Sequence, residues 1–338
     1  LYFIMSGNKI KVSIDRGGTF TDVHAIVPGK PDIVLKLLSV DPSNYQDAPT
    51  EGIRRVLETA TGATLPRGQP LQLDNIECLR MGTTVATNAL LERKGMRSAL
   101  LTTKGFKDLL RIGNQARPDI FDLSARRPDV LFEDVVEIDE RIIPSHPRSS
   151  PEALSSFRGI KGITGETFHV ARELNIERIT ADLEALKKQG YRSVAVALIN
   201  SFACPDHELK VSEIASKLGF SVALSSQLQP MIKVVPRGMS ATADAYLTPV
   251  IKSYIDSISE NFDGGLAGSH GCRVEFMQSD GGLVDFRKFS GLKAILSGPA
   301  AGVVGYASTS WDEEARVPII GFDMGGTSTD VSRFDGHL

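Results

Sequence analysis

Hydrophobic and polar residues alternate along the first forty positions in a pattern that predicts β-structure. The stretch KIKVSID, residues 9–15, alternates polar and apolar positions and then meets a glycine pair, which is typical of a strand entering a turn. TDVHAIVPG, residues 21–29, and DIVLKLLSV, residues 32–40, follow at close spacing as two further strands. The start of the chain therefore predicts a three-stranded meander.

Helical periodicity begins after the meander. Residues 50–61, TEGIRRVLETAT, carry apolar side chains three and four positions apart and end before Gly62, a residue type that favours helix C-termini. Strands then alternate with helices, which predicts an α/β fold with a mixed or largely parallel sheet. The later strands are predicted at 76–82, 97–103, 135–142, 193–200, 273–280 and 317–323, and the later helices at 83–95, 106–114, 180–190, 206–219, 239–262 and 297–311.

Three details of this assignment depend on local composition. Pro205 is expected at the first position of its helix, where a missing N–H costs nothing. Pro249 is expected to bend or divide the long helix at 239–262. The strand VPIIGFD, residues 317–323, is apolar enough to be predicted as buried.

Two distant stretches of the chain nearly repeat each other. IDRGGTFTDV occupies residues 14–23 and FDMGGTSTDV occupies residues 322–331. From the aspartate onward the letters D, G, G, T, T, D and V agree. Each copy follows a predicted strand and precedes another, so each predicts a turn between two strands.

The residues of this repeated turn suit phosphate and magnesium. A glycine pair lets the backbone come close to a ligand, and successive N–H groups then form an anion-binding concavity. The carboxylates of Asp15 and Asp323 offer the hard oxygens that Mg²⁺ prefers, which makes both residues candidate catalytic and metal-binding groups, while Asp22 and Asp330 are expected to hold the turns. The candidate phosphate-binding residues are Gly17, Gly18, Thr19, Thr21, Gly325, Gly326, Thr327 and Thr329.

A turn of this kind also has a purely structural interpretation. Glycine pairs followed by threonine or aspartate are common in hairpins that bind nothing, and for a single copy that interpretation is preferred. Two near-identical copies favour a ligand, because structure alone does not require the same letters twice. Two such turns facing each other would hold the β- and γ-phosphates of a nucleotide from both sides.

Composition narrows the class of protein. The 338 residues are 41 % hydrophobic and 23 % charged, the balance of a soluble globular protein of about two domains. A net charge of −3 gives no basic surface for nucleic acid or an anionic membrane. No apolar run is long enough to span a bilayer. Three widely spaced cysteines indicate reduced thiols in a cytoplasmic protein.

The paired turns resemble those of the actin-like (ribonuclease H-like) ATPases. DRGGTFTD is similar to the first phosphate hairpin of that superfamily, and DMGGTSTD is similar to the second. The small-residue stretch SGPAAGVVGYA, residues 297–307, resembles the helix that connects the two lobes. Its glycines and alanines are also explained by close helix packing, and the two interpretations are compatible.

A narrower resemblance covers residues 9–338. GTTVATNALLERKG, LLTTKGFKDLLRIGNQARPDIFDL, FMQSDGGL, LSGPAAGVVGYA and GFDMGGTSTDVS together resemble the hydantoinase/oxoprolinase A family. IDRGGTFTDV with GNQARP is similar to its eukaryotic-type 5-oxoprolinase branch. That resemblance implies ATP-dependent opening of 5-oxo-L-proline to L-glutamate in glutathione metabolism, with Mg²⁺ and K⁺. It further implies a B-type region of the same long chain as partner and a homodimer at full length.

Two polar segments are candidates for substrate contact. GNQARPDIFDL offers Asn114 and Arg117, and an arginine can bind a carboxylate through two hydrogen bonds. An ordinary loop with an ion-paired arginine explains the same residues equally well. FMQSDGGL offers Gln278 and Asp280 at a strand end, where they would either line a cleft or turn the chain.

The order of the motifs predicts a domain plan. Residues 1–4 have the composition of a tag remnant, and residues 5–316 are expected to form the first actin-like lobe with an inserted subdomain at about 145–235. Residues 317–338 are expected to begin a truncated second lobe. From this plan the chain alone is expected to have no oxoprolinase activity and at most weak MgATP binding.

Other functions remain open on the residues alone. A hydantoinase or a ketone carboxylase A-type subunit would share both turns and differ around residues 114–119. A non-catalytic nucleotide-binding or assembly module would use the cleft only to change shape. The absence of G-x-x-x-x-G-K-[ST], G-x-S-x-G, H-E-x-x-H and C-x-x-C argues against P-loop, serine-hydrolase and zinc-enzyme chemistry.

Overall fold

A computed structural model of the chain describes residues 9–114, 119, 121–122, 124–125, 128–145, 154–268, 271–326 and 328–337. Their strands are β1 (Ile10–Arg16), β2 (Phe20–Ile26), β3 (Ile33–Leu38), β4 (Ile76–Thr83), β5 (Ser98–Thr103), β6 (Asp134–Ile138), β7 (Arg141–Pro144), β8 (Arg158–Lys161), β9 (Thr167–Arg172), β10 (Ser193–Ala197), β11 (Ser221–Leu224), β12 (Arg273–Met277), β13 (Leu283–Asp285), β14 (Ile319–Met324) and β15 (Thr329–Phe334). Their helices are α1 (Ala48–Thr61), α2 (Val85–Leu91), α3 (Leu109–Ile112), α4 (Ile176–Lys188), α5 (Asp206–Lys217), α6 (Ser225–Leu228), α7 (Val234–Ser259), α8 (Gly265–Gly268), α9 (Gly291–Ala294) and α10 (Ser297–Ser310).

The chain divides into two compact units. The first contains Leu1–Lys94 and Val250–Leu338, and the second contains Gly95–Pro249. The second unit is thus inserted in sequence between two parts of the first. The subdomain expected at about 145–235 falls inside the second unit, and the exact domain plan stays a prediction.

A six-stranded mixed sheet forms the core of the first unit, in the order β13-β12-β4-β1-β2-β3. β1, β2 and β3 pair antiparallel, which confirms the predicted meander, and β1 pairs in parallel with β4. Alternation along β1 buries Ile10, Val12 and Ile14 on one face. The other face carries Asp15 at the end of the strand that leads into the first repeated turn.

Helix α1 packs on the buried face of this meander. Asp47 caps its first turn by accepting the N–H of Thr50 (2.8 Å), and Gly62 ends it with φ +75°, as its sequence predicts. A Cβ on Gly52 would lie 2.7 Å from Cγ2 of Val23. A larger residue at position 52 would therefore push the helix away from β2.

The second unit contains a parallel sheet and a small antiparallel sheet. The parallel strands lie in the order β11-β10-β5-β6, and the antiparallel strands in the order β7-β9-β8. The single strand predicted at 135–142 is wrong, because the segment divides into β6 and β7, one in each sheet. The division falls at Glu140, whose buried carboxylate binds the hydroxyl of Thr103 and Nδ1 of His207 and so turns the chain.

Two further expectations about elements need correction. Helix α5 begins at Asp206, so Pro205 is the residue before the helix and not its first position. Strand β14 is not buried: Ile320, Phe322 and Met324 on one of its faces are 66–72 % exposed. The reason is that β14 pairs only with β15 among the described residues, and α10 packs on the hairpin they form.

Helix α7 runs continuously from Val234 to Ser259 with Pro249 inside it. It begins five residues before the predicted helix, and the boundary between the units follows Pro249. Among the described residues, no helix has both the length and the apolar composition needed to cross a membrane.

A buried charge pair stabilises the second unit. The side chains of Arg237 and Glu208 are completely buried, with Nη1 and Oε1 3.4 Å apart. Glu208 also accepts the hydroxyl of Ser225 (2.6 Å) and the N–H of Leu198 (2.9 Å), and Arg237 donates to the carbonyl of Leu198 (2.9 Å). Since a buried charge is costly unless it is paired and hydrogen-bonded, this network fixes α5 and α7 against the ends of β10 and β11.

Replacement of Arg237 by methionine is expected to destabilise the second unit by about 3–5 kcal/mol, because Glu208 would remain as a buried, unpaired charge. Urea unfolding followed by circular dichroism measures the change. Arg178→Met is the control, since Arg178 pairs with Asp182 at the surface and its loss should cost less than about 1 kcal/mol. Equal destabilisation by the two substitutions would contradict the importance of the buried network.

Candidate phosphate-binding site

The two repeated sequences form hairpins of the same geometry. Asp15 lies opposite Asp22 in the first hairpin, and Asp323 lies opposite Asp330 in the second. The N–H of Gly17 donates to the carbonyl of Phe20 (2.9 Å), and the N–H of Gly325 donates to the carbonyl of Ser328 (3.0 Å). The equivalent hydrogen bond therefore closes each turn.

The structure brings these two turns into contact. A Cβ on Gly326 would overlap Oγ1 of Thr19, so position 326 must lack a side chain for the turns to meet. The charge of Asp323 also acts on the carboxylate of Asp15. Residues at opposite ends of the sequence therefore occupy one region of the first unit.

The carboxylate of Asp15 lies in an unfavourable electrostatic environment. Partial burial raises its pKa above the usual 3.8, the charges of Asp22 and Asp323 raise it further, and Lys36 opposes the shift. Solvent screens much of this effect, because Asp15 is exposed as a residue. A bound cation would oppose this rise in the pKa of Asp15, since it would supply the positive charge that this group of carboxylates lacks.

Gly82 makes room for the Asp15 carboxylate. It lies opposite Asp15 on the parallel neighbour β4, and a Cβ there would be 2.9 Å from Oδ1 of Asp15. Gly82 is a residue of the site that the sequence did not identify. The available sequence signal for this role was the position of Gly82 near the end of a strand, before Thr83 and Thr84. Only the register of β1 and β4 shows that the side chain accommodated by Gly82 is that of Asp15.

Lys36 is a second residue that sequence reasoning missed. Its Nζ donates to both carboxylate oxygens of Asp22, at 2.8 and 3.0 Å, and lies 5.2 Å from the ring centroid of Phe20. Asp22 was expected to hold the turn, and in the structure its carboxylate instead binds this lysine of the neighbouring strand. Lys36 faces Asp22 in the register of β2 and β3, so the predicted meander could have indicated the pair.

Thr21 has a different environment from the predicted one. Its side chain is completely buried, and Oγ1 lies 2.9 Å from Oγ of Ser39. The hydroxyl therefore faces the protein and not a phosphate. In contrast, Thr329 is exposed at the equivalent place in the second hairpin, and Thr327 lies outside the described residues.

Backbone donors remain available in the first turn. Within the described part of the chain, no hydrogen bond uses the N–H groups of Gly18 and Thr19. These two groups follow Gly17 at the turn and are of the kind that builds an anion-binding concavity. The backbone is consequently a better source of phosphate donors here than the hydroxyl of Thr21.

Helix α10 joins the sheet of the first unit to the second hairpin. The hydroxyl of Ser297 at its start donates to the carbonyl of Thr83 (2.7 Å), and Tyr306 packs on Gly321 and contacts Oγ of Ser332 (2.9 Å). Close approach was also expected at Gly302 and Gly305. No described atom lies within 4 Å of a Cβ placed at either glycine, so the structure gives no packing reason for those two.

The predicted substrate residues are distributed over both units. Asp280 lies in the turn between β12 and β13, where its Oδ1 accepts the N–H of Gly282 (2.9 Å), and the N–H of Gln278 donates to the carbonyl of Gly282 (2.8 Å). The carboxylate of Asp280 thus serves to turn the chain. Asn114 follows α3 in the second unit, and Arg117 lies outside the described residues.

The carboxylates of Asp15 and Asp323 suit a magnesium ion bound to phosphate better than a metal ion coordinated by protein side chains alone. In the portions of the chain that the structure describes, no group of three or more histidine, cysteine, aspartate or glutamate side chains could hold a metal ion. Mg²⁺ in nucleotide sites needs only one or two carboxylates, because phosphate and water supply its other ligands. Asp15 and Asp323 can meet that requirement.

The mixed sheet, its meander and the paired turns define the chain as part of an actin-like ATPase fold. A nucleotide-free structure of acetone carboxylase, an enzyme of ATP-dependent acetone carboxylation, matches 97 % of this chain and 44 % of its own with a TM-score of 0.71 and 20 % identity. ATP-dependent caprolactamase from Pseudomonas jessenii matches 96 % of this chain and 43 % of its own with a TM-score of 0.64 and 25 % identity.

Residues 11–219 match the hydantoinase/oxoprolinase N-terminal region, and residues 237–338 match the hydantoinase/oxoprolinase domain that follows it. The chain therefore belongs to the hydantoinase/oxoprolinase family. It is 55 % identical over 330 residues to 5-oxoprolinase 1 of Arabidopsis thaliana, a match that covers 97 % of this chain and 26 % of that protein. The chain spans about a quarter of the length of this curated relative.

Replacement of Asp15 by asparagine is expected to raise the melting temperature of the ligand-free chain. The pKa of Asp15 is raised in the folded state, so its ionised form destabilises the fold relative to the protonated form. The stabilisation by asparagine should be complete above the folded-state pKa and disappear as the pH falls below the unfolded value near 3.8. Thermal unfolding at several pH values measures it.

Asp32→Asn is the control for this prediction, because Asp32 is an exposed carboxylate beside the same sheet and pairs with His24. It should not raise the melting temperature at neutral pH. A lower melting temperature for Asp15→Asn than for the unchanged chain would show that the Asp15 carboxylate is not under electrostatic strain.

Proposed function

We propose that the chain is the ATP-binding N-terminal part of a longer ATP-dependent 5-oxoprolinase, a cyclic amide hydrolase that opens 5-oxo-L-proline to L-glutamate. The observation that carries this proposal is the contact between the two GGT turns, with Asp323 acting electrostatically on Asp15. The identity to a protein named 5-oxoprolinase supports the choice of substrate. On this proposal the chain by itself has no hydrolase activity.

The residues at the paired turns suit the phosphates of ATP. The proposed phosphate donors are the N–H groups of Gly18, Thr19 and Gly326, together with the hydroxyls of Thr19, Thr327 and Thr329. The N–H groups of Gly17 and Gly325 instead close their own turns. Asp15 and Asp323 are the proposed holders of Mg²⁺, either directly or through water. Lys36 limits the repulsion among the carboxylates before a cation binds.

These phosphate donors and carboxylates match what opening a lactam requires. Amide resonance stabilises the five-membered ring, and bound ATP would supply the phosphoryl group that makes the lactam carbonyl oxygen a better leaving group. Such a transfer depends on positioning and charge neutralisation more than on a protein nucleophile. The contribution of this chain is therefore to hold phosphate oxygens with backbone N–H groups and to hold the cation with two carboxylates.

The rest of the proposal concerns the longer protein. A B-type region of the same chain would complete the hydrolysis, and the protein would act as a cytoplasmic homodimer in glutathione metabolism. K⁺ belongs to the proposal as a cofactor without an assigned residue. No role in nucleic-acid or membrane binding is proposed.

Related activities are separated by a substrate panel. The longer protein is incubated with MgATP and either 5-oxo-L-proline, a hydantoin, or acetone with bicarbonate, and product formation is measured. Glutamate release is the expected result. Turnover of another substrate alone would identify a hydantoinase or a ketone carboxylase, and nucleotide-dependent partner binding without turnover would identify an assembly module. ATP-dependent glutamate release by the 338-residue chain alone would contradict its proposed inactivity.

Replacement of Asp15 or Asp323 by asparagine in the longer protein is expected to lower turnover by about 10² or more, the usual effect of removing one group that stabilises developing charge. Steady-state glutamate production measures the change. Asp32→Asn should leave the rate unchanged. Unchanged rates for both site variants would overturn the metal and phosphate assignment.

The proposed carboxylate contact of Arg117 has its own test. Arg117→Lys should raise the KM for 5-oxo-L-proline, because lysine cannot form the paired hydrogen bonds that arginine makes with a carboxylate. The KM for MgATP should not change. If both constants match those of the unchanged protein, Arg117 does not bind the substrate.

A further inference from the structure

Ser39 is a buried serine that touches the first turn from outside the repeated motif. It follows the last residue of β3 and is only 5 % exposed. Its neighbour in space is the turn between β1 and β2. None of the functional assignments above uses this residue.

Three contacts connect Ser39 to that turn. Its hydroxyl donates to the carbonyl of Gly17 (2.7 Å), and its N–H donates to the carbonyl of Thr19 (2.9 Å). Oγ1 of Thr21 lies 2.9 Å from the same hydroxyl. The carbonyls of Gly17 and Thr19, the residues before and after Gly18, are therefore both hydrogen-bonded by the residue that follows β3.

We propose that Ser39 is a positioning residue that fixes the first turn in its phosphate-binding shape, and that Thr21 acts with it. This inference rests on the proposed function of the turn. The carbonyl of Gly17 shares its peptide plane with the N–H of Gly18, so its hydrogen bond keeps that N–H in one direction before a ligand arrives. The carbonyl of Thr19 belongs to the 19–20 plane, so the peptide that carries the N–H of Thr19 lies between two held planes and has little freedom to rotate. A donor array that needs no rearrangement binds its ligand with a smaller loss of entropy.

The described contacts of the second turn differ from those of the first. Among the described residues of the second hairpin, Ser328 contacts Oδ2 of its neighbour Asp330 at 3.1 Å, and Thr329 is exposed. Among the described residues, β14 and β15 form a two-stranded sheet. Each copy of the motif is closed by its own hydrogen bond, and within the described residues the buried hydroxyl of Ser39 holds the first copy from outside the motif.

A serine that merely stabilises the sheet would have different consequences. Its loss would lower the melting temperature and reduce the concentration of active protein, which lowers the apparent kcat and leaves the KM for MgATP unchanged. A positioning residue changes affinity for the phosphates. The split between KM and kcat therefore distinguishes the two roles.

The test uses Ser39→Ala in the longer protein and compares it with the unchanged protein. We expect the KM for MgATP, and the Kd of a fluorescent ATP analogue measured without the lactam, to rise about tenfold, the effect of losing roughly one buried hydrogen bond. The KM for 5-oxo-L-proline should stay the same. Hydrogen exchange without nucleotide should become faster at residues 17–20 and not along β4.

Matched variants isolate the hydroxyl. Ser13→Ala removes an exposed serine from β1 of the same sheet and should change neither constant. Ser39→Thr and Thr21→Ser keep a hydroxyl at each position and should retain most of the affinity, whereas Thr21→Val should weaken MgATP binding. Because Ser39 and Thr21 share one hydrogen bond, the double variant Ser39→Ala/Thr21→Val should lose less than the product of the two single effects.

The outcomes separate this inference from the proposed function. Unchanged KM and Kd for nucleotide in Ser39→Ala, in a protein that Asp15→Asn inactivates, would overturn the role of Ser39 and leave the phosphate site intact. A lower melting temperature without a change in nucleotide affinity would also overturn it. Absence of ATP-dependent turnover in the unchanged protein would instead defeat the proposed function, and the Kd and exchange measurements would still test the turn.

Discussion

The crowding of carboxylates around Asp15 is the constraint on which the rest of the site depends. Asp22 opposes it across the hairpin and Asp323 reaches it from the other end of the sequence, so the ionised cluster repels itself. The first unit maintains this arrangement by three means. Gly82 leaves space for the carboxylate, Lys36 supplies one positive charge, and the contact between Gly326 and Thr19 holds the turns together. Carboxylates whose pKa is shifted by burial and by neighbouring charges of the same sign are typical of functional sites.

The two turns share a sequence but differ in how the fold supports them. The first is embedded in a six-stranded sheet and is held from β3, whereas the second belongs to a two-stranded hairpin that α10 joins to the rest of the unit. A two-stranded hairpin is marginal by itself and depends on what packs against it. Within the described residues, the second hairpin is joined to the rest of the unit through α10, where Tyr306 packs on Gly321 and contacts Ser332.

Much of this architecture could be predicted from the sequence, because local signals and tertiary contacts agree. The meander, α1 with its glycine C-cap, and both hairpins follow from alternation, helical spacing and glycine pairs. The segment at 135–142 could not be predicted, since its pattern suits one strand and only the burial of Glu140 between Thr103 and His207 divides it. The exposure of β14 was also unpredictable, because an apolar strand does not reveal how many neighbours it has.

The repeated motif does not predict the environment of its threonine side chains. Thr21 and Thr329 occupy the same place in the two copies, and identical letters predict identical roles. In the structure the hydroxyl of Thr21 is buried against Ser39, which follows β3, whereas Thr329 is exposed and its hairpin has no third strand among the described residues. The repeat thus identifies the backbone of each turn as the shared functional element. Which hydroxyls assist it is decided by residues outside the motif, and for the first turn the deciding residue lies at the end of β3.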